Sequence, residues 1–191
     1  RRLWPGARVA RLDRDTAPHS GKGLKILEDF ARGQIDLLVG TQMITKGHHF
    51  PGVTLVGVIA GDLSLFFPEY HAGERTFQLL SQVAGRAGRG EAPGRVFIQT
   101  YNPEHFVFQT VRDQDYEAFC AQELEARRRL GYPPFTRLAL ARFSGTPEEA
   151  VSEVAQKVTE TLRRAILRDP DLAPYLRVLG PAPAGLAKLK N

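Results

Sequence analysis

Ile35-Asp36-Leu37-Leu38-Val39-Gly40-Thr41 is the stretch on which the fold turns. Four of its first five residues are apolar, the run is too short for an amphipathic helix, and Gly-Thr closes it. A short continuous apolar run bounded by a turn signal is the pattern of a strand buried on both faces, as in parallel sheets. Upstream, Leu24, Leu27, Phe30 and Ala31 recur at helical spacing, and Gly33 stands where a helix stops. Further upstream, Val9-Ala10-Arg11-Leu12 reads as a strand entered from the Pro5-Gly6 turn. Downstream, the run Val53 to Ile59 predicts the next strand. Leu79, Leu80, Val83 and Ala84 then predict a helix face closed by Gly85, and Arg95 to Gln99 a further strand. Strands alternating with helices over residues 7–100 predict an α/β layer with a parallel sheet flanked by helices.

After Thr100 the pattern changes. Tyr116, Phe119, Cys120 and Leu124 share a helical face, and Arg127-Arg128-Arg129 load that helix's C-terminal end, where the dipole favours positive charge. Gly131 and Pro133-Pro134 break the chain. Leu138 to Phe143 reads as a strand. Thr146-Pro147-Glu148-Glu149 predicts a helix start, with Thr146 at the N-cap and Glu149 completing a capping box. Val151, Val154, Ala155, Val158, Leu162, Ala165 and Ile166 form the apolar stripe of that helix, Asp169-Pro170 ends it, and Tyr175 to Leu179 reads as a second strand. The expected organisation is an α/β unit over 1–112, a connecting helix and linker over 113–134, and the start of a small α+β domain over 135–191.

The length, 191 residues, allows one full domain and part of a second. With 42% hydrophobic and 25% charged residues, the composition suits a globular chain and excludes disorder, collagen and coiled coil. Lys and Arg number 26 against 21 Asp and Glu, a net charge of +5 that falls mostly within residues 1–90. A mild basic excess fits a polyanionic partner and equally an ordinary soluble surface. The single cysteine, Cys120, excludes an intramolecular disulfide framework and a Cys-rich zinc site. No apolar run approaches the ~18 residues of a membrane span, and no signal peptide is evident. A reduced, cytoplasmic setting is expected. The chain opens Arg1-Arg2-Leu3-Trp4 without a Met and stops just after a strand-like segment, so a piece of a longer protein is expected.

Two segments carry chemistry. Val39 to Pro51 leaves the carboxyl end of an apolar strand, where open α/β sheets bind ligands. Thr41 and Gln42 offer short hydrogen-bonding side chains suited to nucleic-acid phosphate oxygens, Lys46 adds charge, and Gly47 lets the main chain approach a ligand. The alternative is an ordinary strand-to-helix loop. The second segment is Gln82-Val83-Ala84-Gly85-Arg86-Ala87-Gly88-Arg89. Arg86 and Arg89 stand three apart, on one side of a helical turn, with small residues leaving both guanidinium groups unobstructed. The planar fork suits bidentate phosphate contact and can stabilise a transferring γ-phosphoryl group. Two arginines alone are equally a basic helix end capped by glycine.

Together these segments resemble motifs V and VI of superfamily 2 helicases. Gly40-Thr41-Gln42-Met43, Lys46-Gly47-His48, Phe50-Pro51-Gly52, Glu74-Arg75, Gln82 to Arg89 and Arg128-Arg129-Leu130-Gly131-Tyr132-Pro133-Pro134-Phe135 resemble, more narrowly, the primosomal protein N′ family of bacterial replication-restart DNA helicases. The resemblance runs from about Val9 to Pro183. It implies the second RecA-like lobe of an ATP-dependent 3′→5′ helicase, followed by a partial C-terminal α+β domain. Arg86 and Arg89 would reach nucleotide phosphates across a cleft between two lobes, with Arg89 the arginine finger and Gln82 positioning the attacking water or γ-phosphate. Gly47 and His49 would flank the ribose, with His49 where an Asp or Asn is common. Thr41, Gln42 and Lys46 would lie toward DNA. ATP is implied as cofactor, with Mg²⁺ bound mainly by the upstream lobe and the family's Zn²⁺ site also upstream. Implied partners are stalled forks, D-loops and single strands of DNA, replication-restart proteins and single-stranded DNA-binding protein, in a bacterial cytoplasm at the nucleoid. No Walker A segment or acidic Mg²⁺ box occurs in the chain, so by itself it is expected to be inactive. The competing expectation is a DNA-binding scaffold that keeps the helicase fold without ATP turnover.

Other features have plainer readings. Ser20-Gly21-Lys22-Gly23 fails the phosphate-loop pattern, because Thr16 and Gly23 stand where Gly and Ser or Thr are needed. His48 and His49 lack a carboxylate or cysteine to complete a metal set. Phe66, Phe67 and Tyr70 are suited to stacking on bases or, better, to packing against a neighbouring domain.

Overall fold

A computed structural model describes residues 4–13, 21–41, 44, 50, 52–85 and 94–183. The chain forms two compact units, 1–137 and 138–191.

In the first unit the order is β1 (Val9–Leu12), α1 (Lys22–Ala31), β2 (Leu37–Gly40), β3 (Leu55–Val58), a 3₁₀ turn (Leu63–Phe66), α2 (Ala72–Ala84), β4 (Arg95–Ile98), α3 (Phe106–Asp113) and α4 (Tyr116–Leu130). β1 pairs with β2 in parallel, Val9 opposite Leu37 and Leu12 opposite Gly40. β3 pairs with β4 in parallel, Leu55 opposite Arg95 and Val58 opposite Ile98. Each pairing joins strands separated by a helix, as a parallel connection requires. The expected α/β layer of parallel strands flanked by helices is present.

The core gathers on α2, α3 and α4. Phe77 and Leu80 of α2, Val107, Phe108 and Val111 of α3, and Phe119 of α4 form one buried cluster, with Val58 and Ile98 of the sheet and Leu65 of the 3₁₀ turn packed against it. The Phe77 and Phe119 rings stack at 4.1 Å between centroids, an arrangement worth ~0.5–1.5 kcal/mol beyond the area it buries. The Asp62 carboxylate, 2% exposed, accepts the Tyr101 N–H at 2.8 Å and the Thr100 hydroxyl at 3.0 Å. It ties the turn after β3 to the chain leaving β4, and these bonds lower its pKa against the opposing effect of desolvation.

Several expectations need correction. β2, read as buried on both faces, leaves Leu37 and Val39 exposed, because it pairs with β1 alone among the described strands. Phe106–Asp113 is a helix that the apolar spacing did not reveal. His105 caps it, Nδ1 accepting the Val107 N–H at 3.3 Å. In α4, Phe119 is buried as expected, but Tyr116 and Leu124 are exposed. In the second unit, the last helix, α5, spans Glu148–Arg168, and its N-cap is Pro147, without a side-chain cap bond. Thr146 therefore falls outside the helix and closes no capping box. The acidic pair Glu148-Glu149 in the first turn complements the helix dipole instead.

Residues 138–143 and 175–179, read as strands, pair with nothing among the described residues. A strand needs a ladder partner for its N–H and C=O groups. Among the described residues of this unit, only Thr159 is buried, its hydroxyl donating to the Ala155 carbonyl at 2.7 Å. No described helix is long and apolar enough to cross a membrane. No group of three His, Cys, Asp or Glu among the described residues is placed to hold a metal ion.

Candidate nucleotide and nucleic-acid site

β2 ends at Gly40, and this position has to be glycine. A Cβ there would run into the Leu12 carbonyl oxygen of the neighbouring strand and the Ile44 side chain. Thr41 follows at the crest of the strand with its side chain exposed, and its carbonyl accepts the Ile44 N–H at 3.1 Å. Of the residues assigned to DNA contact, Thr41 thus stands free at a strand's carboxyl end, while Gln42 and Lys46 lie outside the described residues, as do Gly47 and His49.

α2 carries the second half of the site. Thr76, Phe77, Leu80 and Val83 turn one face into the core, with Leu80 1% exposed. Gln82 lies on the outer face, exposed, in the last turn. Gly85 caps the helix at φ −70°, its N–H reaching the Ser81 carbonyl at 2.9 Å, so the chain is still in helical conformation one residue before Arg86. Arg86 and Arg89 lie outside the described residues. No hydrogen bond joins Gln82 to Thr41; the structure places them on separate elements.

The first turn of α2 holds a group that spacing alone did not single out. The sequence places Arg127 of α4 at a helix end where the dipole favours positive charge. Its side chain is instead only 12% exposed. Its Nε and Nη2 meet Glu123 Oε1 at 2.9 and 2.8 Å. Nη2 also meets Glu74 Oε2 of α2 at 2.9 Å, and Nη1 donates to the Pro133 carbonyl at 3.4 Å. The guanidinium carbon sits 5.3 Å from the centre of the Tyr70 ring, which packs 5.8 Å from Tyr132. Burial opposes the charge on Arg127, but the hydrogen bonds to Glu74 and Glu123 outweigh it and raise its pKa. The Glu123–Arg127 pair was legible as an i,i+4 spacing. Its link to Glu74, 53 residues away, was not.

The neighbouring arginines behave differently. Arg128 meets Glu125 at 3.3 Å and lies 4.7 Å over the Phe135 ring, while Arg129 is exposed. Tyr70 is engaged within the unit, whereas Phe66 and Phe67 stand 73% and 63% exposed on the 3₁₀ turn and just beyond it.

The parallel strand pairs with their flanking helices form an α/β lobe, and its class is that of helicase C-terminal lobes. Residues 2–91 match the family described as Helicase conserved C-terminal domain, and residues 128–191 that described as Primosomal protein N C-terminal domain. The chain is 46% identical over 186 residues to Replication restart protein PriA of Synechocystis sp., covering 97% of this chain and 22% of that protein. It is 42% identical over 190 residues to Replication restart protein PriA of Bacillus subtilis, covering 100% and 23%, and 40% identical over 187 residues to that of Rickettsia typhi, covering 98% and 28%. The chain belongs to the PriA family and spans about a quarter of the length of these relatives.

Proposed function

We propose that this chain is the second RecA-like lobe and adjoining C-terminal segment of an ATP-dependent 3′→5′ DNA helicase that acts at stalled forks and D-loops and promotes primosome assembly in the bacterial cytoplasm. The observation that carries this reading is the geometry of α2. One face is locked into the core, Gln82 is left free on the other, and the helix ends at Gly85 immediately before Arg86.

In this reading the chain supplies groups that act on nucleotide. Arg86 and Arg89 bring positive charge to the phosphates, Arg89 as the arginine finger. Gln82 orients the attacking water, and Gly47 and His49 border the ribose. ATP supplies the phosphoryl group and Mg²⁺ neutralises its charge, the metal being held by the upstream lobe. Thr41, Gln42 and Lys46 contact the DNA backbone. Restart proteins and single-stranded DNA-binding protein are the expected partners of the parent, whose family Zn²⁺ site lies upstream.

The test is Arg89→Ala in the full-length parent. DNA-stimulated ATP hydrolysis should fall ~10³-fold or more while DNA binding largely survives. Near-normal turnover would remove the assigned role and favour a scaffold that does not hydrolyse ATP.

A further inference from the structure

We infer that the turn leaving α4 is a contact for single-stranded DNA: Arg128, Arg129 and Arg137 neutralise backbone phosphates, and the Phe135 ring and the Arg128 guanidinium over it offer flat faces to a base. This deepens the proposed function, on which it rests, by adding a second nucleic-acid contact to the one at the end of β2.

Residues 126–147 hold five arginines, no lysine and no acidic residue, between Glu125 and Glu148. Positive charge interleaved with aromatic residues, here Tyr132, Phe135 and Phe143, suits a single strand, whose backbone meets the cations and whose bases meet the rings. The structure sorts the arginines of the first unit. Arg127 is engaged internally with Glu74, Glu123 and the Pro133 carbonyl. Arg128 keeps 65% of its side chain exposed, and its ion pair with Glu125 at 3.3 Å is as exposed on the other side, where such a pair contributes little and yields to a phosphate. Arg129 and Arg137 are exposed, and their side chains make no hydrogen bond or ion pair among the described residues.

The turn that carries these groups is fixed. Gly131, at φ 68°, reverses the chain at the end of α4. The Tyr132 N–H reaches the Arg127 carbonyl at 2.8 Å and the Phe135 N–H the Tyr132 carbonyl at 3.1 Å. The Thr136 hydroxyl donates to the Gly131 carbonyl at 2.7 Å, which returns position 137 to the end of the helix that carries Arg128 and Arg129. The Arg128 guanidinium already lies 4.7 Å over the Phe135 ring, which is 40% exposed. Groups on a fixed turn lose less freedom on binding than groups on a mobile one. Arginine suits the task better than lysine, because its planar fork bonds phosphate oxygens in pairs and stacks on flat rings. An acidic peptide would use the same charges but would leave the Phe135 ring without a partner.

The experiment uses the full-length parent and a labelled oligothymidylate, with binding followed by fluorescence anisotropy between about 50 and 200 mM salt. Arg129→Ala with Arg137→Ala should make the slope of log affinity against log salt shallower by ~1.4, which is ~0.7 for each phosphate contact removed from a single strand. Adding Arg128→Ala should take the change to ~2.1. Arg129→Lys with Arg137→Lys keeps the charges and should keep the slope. Phe135→Ala and Phe135→Leu should both weaken binding about 5- to 150-fold with the slope unchanged, because leucine restores the packing but not the face on which a base stacks. Arg129 and Arg137 hold no other described group through their side chains, so their double variant should fold as the parent does.

A slope unchanged by the triple substitution overturns the proposal, and full affinity in Phe135→Leu overturns the base contact. A triple variant that releases a polyglutamate peptide but keeps the oligonucleotide assigns the turn to an acidic protein and overturns it as well. A parent that binds no single strand at all removes the helicase reading itself, whereas a parent that binds with an unaltered slope removes only this contact.

Discussion

Asp36 and Arg8 close the entry to the first strand pair. The Asp36 carboxylate accepts from the Arg8 backbone N–H at 2.8 Å and from its guanidinium at 2.9 and 2.6 Å, while the same guanidinium reaches the Gly33 carbonyl at 2.7 Å. The side-chain bonds to Arg8 come first among the causes that lower the Asp36 pKa from 3.8 to about 2. A lowered carboxyl contributes stability that is present in full above its unfolded value and lost as pH falls through the folded one. The β1–β2 pair should therefore hold at pH 4 and loosen as pH approaches 2. His105 acts at milder acidity. Burial is the main cause that lowers its pKa below 6.5, Glu123 opposing it, so the neutral ring that caps α3 is favoured. Its contribution is complete above pH 6.5 and is lost as pH falls through the lowered folded value. Thermal midpoints between pH 7 and 2 should thus decline in two stages. His105→Asn, which keeps a capping side chain, should remove the first stage, and Asp36→Asn the second; a decline unchanged by either variant would contradict both assignments.

At the scale of the element, the helix ends separate glycines by conformation. α1 and α4 close with the same pattern. Gly33 at φ 69° and Gly131 at φ 68° place Gln34 N–H on the Asp29 carbonyl and Tyr132 N–H on the Arg127 carbonyl, both at 2.8 Å. Gly85, at φ −70°, needs no left-handed backbone. Gly131→Ala should cost ~1–2 kcal/mol, whereas Gly85→Ala should be neutral or stabilise by up to ~1 kcal/mol, as denaturant midpoints would record. A similar cost at both positions would refute the distinction. These stops were legible because a glycine after an apolar stripe has a local cause. β1, α1, β2, β3 and β4 were readable for the same reason: each is a run whose periodicity is complete within itself. α3 was not. Phe106-Val107-Phe108-Gln109-Thr110-Val111 is rich in residues that favour strands, and it becomes a helix because His105 caps it and three of its residues enter the cluster with Phe77 and Phe119. In the candidate site, Thr41 was singled out by its place at the end of a strand and Gln82 by the family resemblance, while the contact of Glu74 with Arg127 was not legible, since only the folded chain brings α2 beside α4.

Across the whole molecule, the two units differ in how much of their apolar surface is covered. In the first, α2 and α3 are held by a shared cluster that includes the fully buried Val107. In the second, the stripe on α5 formed, but Val154, Val158 and Leu162 remain exposed, and so do Leu138, Leu140, Leu176 and Leu179 in the segments flanking the helix. Its ion pairs, Lys157 with Glu153 at 3.8 Å and Arg164 with Glu160 at 3.4 Å, lie on the surface, where such pairs contribute little. Opening free energy follows buried apolar contact, so the units should not be equally protected. In the 191-residue chain, amides of α5 should exchange with solvent well before those of residues 76–83 and 107–111, and thermal unfolding followed by exchange should lose the second unit first. If a helix with so little of its apolar face buried resists exchange as long as α2, then something covers that face in solution, and burial within the unit is no longer what ranks the two.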